Sequence, residues 1–152
     1  MAYKALDIAK KLIKIADLQS MDDSDCMTNL RLQKMLYYEQ GYHLAMFDTP
    51  LFDEDVEAWK YGPVVPSVYD HYKQFGSQIL KTEPDNLEMT DEENTLFVNV
   101  FESYKDFSTF GLMKQTHSES PWKSAKSIGR GSVISHDSMK SYFKTQIEDD
   151  EN

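Results

Sequence analysis

Residues 28–47, TNLRLQKMLYYEQGYHLAMF, are the stretch of this 152-residue chain that decides its fold. Thr28 can cap a helix, and the apolar residues after it recur at helical spacing to about Phe47. They cover most of the helix circumference, which is typical of a helix at the centre of a bundle. Gly41 lies inside this helix, although glycine costs about 1 kcal/mol of helix propensity relative to alanine. We therefore predict that another helix packs closely against Gly41.

Amphipathic segments on both sides of this stretch predict further helices. Residues 4–18 carry one apolar stripe, as a surface helix with one buried face does. Thr90 and Glu93 match a capping box, and a strong apolar stripe follows over residues 96–104. The expected fold class is mainly α (α+β), a compact bundle of about six helices with a small two-stranded β element. Other helix caps are expected at Ser108, Ser120 and Ser135.

The β element is expected from residues 55–61, where Val56 and Ala58 suggest a short extended segment. Gly62-Pro63 ends this segment, because proline disfavours helix at the residue before it. Residues 132–135 are the predicted second strand, paired with residues 56–60.

The length of the chain fits one domain of ordinary size. Residues 1–147 are expected to form that single domain, since no repeat, low-complexity segment or long linker divides them. Residues 148–152 are acidic and are expected to fray at the end of the last helix.

The formal net charge of −10 argues against nonspecific nucleic-acid binding, which needs a basic face, so no nucleic-acid partner is expected. The charge is uneven: residues 22–106 hold 6 basic and 18 acidic side chains, whereas residues 107–147 hold 6 basic and 2 acidic ones. This asymmetry could steer a charged partner, and it is equally typical of a solvated acidic surface. With a lone Cys26, no signal-peptide pattern and no membrane-length apolar run, we expect a cytoplasmic protein without a membrane partner.

No catalytic, cofactor-binding or metal-binding residues are predicted. Cys26 lies in an acidic stretch beside Asp25, which disfavours the reactive thiolate. The four histidines lack the helical i, i+4 pairing of a common zinc motif, and no glycine-rich phosphate loop occurs. An enzyme whose site is assembled across the fold from His43, His71 and His117 with acidic residues remains an open alternative.

Two segments place a tryptophan beside prolines at the boundary of an element, Glu57–Pro66 and Thr116–Trp122. Tryptophan offers a large contact area at low entropic cost, as in the hot spots of protein interfaces. Both tryptophans could instead fill the core. A histidine in the second segment is expected either to contribute polar contacts or to help cap the helix at 121–128. The candidate partner-binding residues are Trp59, Tyr61, Pro63, Val64, His117 and Trp122.

Short motifs in a fixed order also resemble a known family. They are LQKMLYY at 32–38, with Gly41 and His43, then PLF at 50–52, EAW at 57–59, YGPV at 61–64, TH at 116–117 and PW at 121–122. In this order they resemble the Panacea domain of SocA-like antitoxins and of phage-associated GepA-type proteins. The resemblance covers roughly residues 5–145.

The resemblance implies a mainly helical fold with a small β element and a place in a prokaryotic or phage toxin–antitoxin system. Its partner would be a cognate toxin, neutralised by direct protein contact without any catalytic residue. One member acts as a proteolytic adaptor that delivers its toxin to a ClpXP-type protease, which makes such a protease a further candidate partner. A phage-associated structural or interaction protein is the alternative within the same resemblance.

Overall fold

The computed structural model describes residues 2–19, 27–85 and 87–151, with the side chains of all these residues except 148–151. The Cys26 and Asp25 discussed above lie outside the described residues. No helix in the described part is long and apolar enough to cross a membrane. In chain order the elements are α1 (Ala5–Leu18), α2 (Asn29–Phe47), β1 (Glu57–Trp59), β2 (Gly62–Val64), α3 (Pro66–Tyr72), a 3-10 turn (Lys73–Phe75), α4 (Asp91–Tyr104), α5 (Thr109–Ser118), α6 (Ser120–Ile128) and α7 (His136–Glu151).

The fold is mainly α with one two-stranded antiparallel sheet, as expected. The described residues contain seven α-helices, one more than the predicted number of about six. The difference arises because short segments such as the two-turn α3 form separate helices. α2 is the central helix: it is buried along almost its whole length and packs against α1, α4, α5, α7 and β2. The buried apolar side chains of the surrounding elements form one cluster around it.

α7 packs closely against α2 at Gly41, as the position of this glycine inside α2 predicts. A Cβ atom placed on Gly41 would lie 2.2 Å from Cδ2 of Phe143, whose ring is fully buried. Real Cβ atoms do not approach a carbon so closely, so only a hydrogen at this position lets the two helices pack.

Local capping largely follows the sequence. The hydroxyl oxygens of Thr28, Thr90, Ser108 and Ser135 each accept a hydrogen bond from a backbone N–H of the next turn. Ser120 is an exception, because it is already the first residue of α6 and Glu119 stands at the cap position without a side-chain capping bond.

The capping box predicted at Thr90 and Glu93 forms in one direction. Thr90 accepts from the backbone N–H of Glu93 at 3.2 Å. The Glu93 carboxylate accepts from the Thr90 hydroxyl at 3.1 Å and also reaches distant partners: it accepts from the Tyr3 hydroxyl at 2.7 Å and meets His43 Nε2 at 2.6 Å. Glu93 therefore ties α4 to α2 and to the start of the chain, a role that its spacing from Thr90 does not reveal.

The β element has the predicted first strand but a different partner. β1 pairs with β2 in a hairpin whose register places Glu57 opposite Val64 and Trp59 opposite Gly62. Gly62 adopts φ +122°, a conformation that favours glycine and that lets the chain reverse directly after Lys60 and Tyr61.

The predicted partner strand at 132–135 does reach β1, on its other edge. Its Ser132 carbonyl accepts from Ala58 N–H at 2.8 Å, and its Ile134 N–H donates to the Val56 carbonyl at 2.7 Å. The contact is an isolated bridge rather than a strand. β1 is therefore hydrogen-bonded on both edges, by β2 and by the segment before α7.

The described part of the chain ends with α7, which continues through Glu151. That residues 148–152 fray stays a prediction, because their side chains and Asn152 lie outside the described residues.

Candidate partner-binding groove

A groove of about 660 Å³ opens on one side of the bundle. It lies between the start of α2, the β1–β2 hairpin, α3 and the turn that joins α6 to the segment before α7. We call it the hairpin groove. Its residues come from positions 29 to 131, so it exists only when these distant segments are folded together.

One part of the groove is an apolar wall, formed by Leu30, Trp59, Tyr61, Val64 and Tyr69. The Trp59 ring packs edge-on against the Tyr69 ring, with centroids 5.0 Å apart, which limits its motion. Tyr61 is 57% exposed and Leu30 is 44% exposed. Large apolar side chains grouped in a concave, exposed surface are typical of a binding site.

The polar side chains beneath the groove are already satisfied by one another. Gln33 donates to Asn29 Oδ1 at 2.8 Å and accepts from the Val65 N–H at 2.9 Å. Asn29 in turn donates to the Tyr69 carbonyl at 3.2 Å. Since these polar groups already have hydrogen-bond partners, they need none from a ligand, and a ligand would gain mainly apolar contact area at the wall.

The other part of the groove is a cationic rim, formed by Lys60, Lys73, Lys126 and Arg130. Among the described residues that line the groove, none is acidic. The Lys60 ammonium lies 5.5 Å from the centre of the Tyr61 ring, so the cation also covers the aromatic wall.

The groove brings together half of the residues predicted for partner binding. Trp59, Tyr61 and Val64 line it directly. Pro63 is buried within β2 and does not line it. The remaining two, His117 and Trp122, lie behind the hairpin and support it.

Trp122 holds the hairpin from behind through its indole N–H, which donates to the Trp59 carbonyl at 2.9 Å. The His117 ring stacks on Trp122 with centroids 4.1 Å apart. Burial lowers the pKa of His117, and a hydrogen bond with the backbone of Lys60 opposes this shift. His117 thus joins α5 to the hairpin turn instead of capping α6.

A buried carboxylate anchors the junction of α5 and α6 to the central helix. Glu119 is 1% exposed and accepts from the Tyr37 hydroxyl at 2.9 Å, the Tyr38 hydroxyl at 3.1 Å and the Gln115 amide at 3.2 Å. Burial raises the pKa of Glu119 to about 7, although hydrogen bonds from Tyr37, Gln115, Tyr38 and Tyr142 oppose the shift. This carboxylate fixes the junction that carries Trp122 and, through it, the hairpin.

Several groove residues are not evident from the sequence. Leu30 and Tyr69 belong to helices whose apolar residues mostly face the core, and Lys60 and Lys73 lie in the acidic part of the chain. The excess of basic side chains over residues 107–147 is the one sequence signal for the rim, because it includes Lys126 and Arg130.

The histidines of the enzymatic alternative are in separate structural roles. His43 binds Glu93 and the Thr49 carbonyl, His71 packs against Tyr72, and His117 stacks on Trp122. Within the described residues no three histidine, cysteine, aspartate or glutamate side chains are grouped as metal ligands would be.

Comparison with known proteins gives a family match over more than half of the chain. The family described as "Antitoxin SocA-like, Panacea domain" matches residues 32–123. A curated relative, Antitoxin SocA of Caulobacter vibrioides (strain NA1000 / CB15N), is 41% identical over 54 residues. That match covers 36% of this chain and 29% of the relative, so it spans less than a third of the relative's length. No solved structure matches.

Proposed function

This chain belongs to the SocA-like, Panacea-domain antitoxin family, and on that basis we propose that it is the antitoxin of a prokaryotic or phage toxin–antitoxin system. It would neutralise a cognate toxin by direct protein contact in the cytoplasm, without catalysis. The hairpin groove is the observation that carries the proposal of direct contact. It combines an exposed aromatic wall, a rigid support and a charged rim, which together resemble the centre and edge of a protein interface.

The rigidity of the groove supports this choice of surface. Trp59 is held by Tyr69 at its ring and by Trp122 at its carbonyl, and the hairpin is bonded along β1 on both edges. A surface that is already ordered loses little conformational entropy when a partner binds. The wall therefore has the properties of a binding anchor that needs no rearrangement.

We extend the proposal to a proteolytic adaptor, on the basis of the family resemblance. In this form the bound toxin is passed to a ClpXP-type protease. The half-life of the toxin in cells, with and without this chain and the protease, tests the extension. A toxin that is neutralised but equally long-lived in all cases would restrict the role of this chain to blocking the toxin.

Co-expression with the product of the neighbouring gene tests the antitoxin role itself. We expect that product to arrest growth alone and this chain to restore growth when both are induced. A product that is harmless alone, or that stays toxic beside this chain, would contradict the proposal.

Tyr61→Ala is expected to weaken toxin binding by about thirtyfold, since an aromatic anchor at the centre of an interface contributes about 2 kcal/mol. Because Tyr61 is more than half exposed, the free energy of unfolding should change by less than about 0.5 kcal/mol. Isothermal titration with purified toxin and urea unfolding measure the two quantities.

Phe110→Ala is the matched control for Tyr61→Ala. Phe110 is an aromatic side chain of similar exposure, 63%, with a lysine ammonium 5.5 Å from its ring, but it does not line the groove. The Phe110→Ala variant should bind the toxin with the same affinity as the unaltered chain. Equal losses for both variants would show that the groove is not the contact surface.

A further inference from the structure

The cationic rim is unusual in a protein with a net charge of −10. Elsewhere in the described residues, some lysines form ion pairs with nearby carboxylates, as Lys105 does with Glu102 and Lys10 with Glu83, whereas others, such as Lys114, form none with a described residue. None of the four rim cations forms an ion pair with a described residue. The Glu57 carboxylate, which accepts from the Trp59 indole N–H at 2.9 Å, offsets part of this charge. Four cations around one concave surface still give it a more positive potential than the mostly acidic surface elsewhere.

The apolar wall inside this rim restricts what the groove can bind. Its polar neighbours, Asn29 and Gln33, are engaged with each other and with the backbone. An entirely polar or charged ligand would lose its hydration there without gaining hydrogen bonds, which is unfavourable. A ligand that fits both parts is apolar at its centre and negatively charged at its ends.

We infer that the hairpin groove binds a segment of a partner protein in which a large apolar side chain is flanked by aspartate or glutamate residues. The apolar side chain packs between Leu30, Trp59 and Tyr61, and the carboxylates face the cationic rim. The identification of that partner as the toxin rests on the proposed function, whereas the chemistry of the segment rests on the groove alone.

The segment enters as side chains of a helix or loop and not as a further strand beside β1. Both edges of β1 are occupied, one by β2 and the other by the backbone of residues 131–134. Recognition by strand addition needs free N–H and C=O groups along an edge. The apolar anchor therefore supplies affinity and the flanking carboxylates supply selectivity and rate of association.

Selection of random 12-residue peptides displayed on phage against the immobilised protein tests this inference. The unaltered chain should enrich peptides that carry a Phe, Leu, Ile or Trp between acidic residues. A selected peptide, made synthetically, should then lose affinity as NaCl rises from 50 to 300 mM, because exposed charges are screened over that range. Enrichment of neutral or basic peptides, or no enrichment over the bare surface, would overturn the inference.

The double variant Lys126→Glu/Arg130→Glu reverses two rim charges and should weaken binding of the selected peptide by about tenfold or more. The control Lys123→Glu/Lys144→Glu makes the same change in net charge at exposed lysines that do not line the groove. Its affinity should stay within about twofold of the unaltered chain. Equal loss in both double variants would mean that net charge, and not the groove, controls binding.

Three other occupants are outcomes of the same experiments. A single-stranded oligonucleotide that binds in the groove while acidic peptides do not, or self-association that the rim variant abolishes, would overturn the inference. The third is the chain's own acidic C-terminus. If it occupies the groove, removal of residues 148–152 should strengthen peptide binding. That result would reassign the groove to this chain itself.

The inference and the proposed function fail separately. If the rim variant still neutralises the toxin fully and binds it as tightly as the control does, the inferred segment chemistry is wrong and the antitoxin role stands. If no neighbouring product is toxic but acidic peptides are selected and respond to the rim variant, the antitoxin role is wrong and the groove chemistry stands.

Discussion

Gly41→Ala is expected to lower the free energy of unfolding by about 3 kcal/mol, at the upper end of the cost of overpacking a core. The new Cβ would lie 2.2 Å from Cδ2 of Phe143. The ring has little room to move, because Tyr37, Tyr38 and Tyr142 pack edge-on against it. The gain of about 1 kcal/mol from replacing glycine inside a helix does not offset the collision. Urea unfolding of both proteins measures the difference.

The same substitution in a Phe143→Ala background is the control. Removal of the ring costs stability of its own, about 3 kcal/mol or more, but it also clears the space next to Gly41. Adding the methyl group there should then stabilise the protein, because only the helix propensity remains. A Gly41→Ala variant that is as stable as the unaltered chain with Phe143 present would show that α2 and α7 do not meet as described.

Glu119→Gln is expected to remove a large pH dependence of stability. The pKa of Glu119 is raised to about 7 in the folded protein from a usual value of 4.5. Between these two pH values the folded state holds a proton that the unfolded state has released, so stability falls as pH rises through the window. The full loss is about 3 kcal/mol, at roughly 1.4 kcal/mol for each unit of pKa. Glutamine has no ionisable proton, so the variant should not show this loss of stability.

The measurement is the free energy of unfolding of both proteins from pH 4.5 to 8. The difference between the glutamine variant and the unaltered chain should rise by about 3 kcal/mol over this range and then level off above pH 7. All other ionisable groups are the same in both proteins, so their contributions cancel in the difference. A difference that does not change with pH would mean that Glu119 is solvated or paired with a cation.

Glu119→Ala separates the charge from the hydrogen bonds. It leaves the buried hydroxyls of Tyr37 and Tyr38 without their acceptor, which costs about 1–3 kcal/mol for each group. This variant should be destabilised at every pH. The glutamine variant keeps one acceptor oxygen for these donors, and its stability relative to the unaltered chain should improve as the pH rises to 8. The contrast between the two variants shows how much of the effect of Glu119 on stability comes from its buried charge and how much from its hydrogen bonds.

Features that depend on neighbours in the chain were well predicted. The hydroxyl caps at Thr28 and Ser108 form as expected, because a cap needs only the side chain and the backbone of the next turn. The central position of α2 and the close approach at Gly41 were also evident, since a helix that is apolar all round must be buried. Trp59 and Tyr61, which the same local reasoning named as candidate binding residues, line the hairpin groove, and their role in binding stays a prediction.

Features that depend on distant partners were predicted less well. The strand partner of residues 57–59 was placed at 132–135, although Gly62 allows a closer one through its positive φ. The spacing of Glu93 predicts only its part in the cap at Thr90, whereas its carboxylate also binds Tyr3 and His43. His117, predicted at the interface or in a cap, stacks behind the hairpin on Trp122. For Glu93 and His117 a local partner is possible, and packing adds or favours a more distant one. For β1 the local partner forms the strand, and the distant segment contributes only an isolated bridge.

The sequence by itself therefore determined the helices, the central place of α2 and the family to which the chain belongs, because these follow from periodicity, caps and ordered motifs. The tertiary structure decided which residues share a surface. It brings Leu30, Tyr61 and Tyr69 next to Lys126 and Arg130, and it buries Glu119 among tyrosines from other helices. Burial and proximity between distant segments change pKa values and create grooves, and neither is contained in the spacing of residues along the chain.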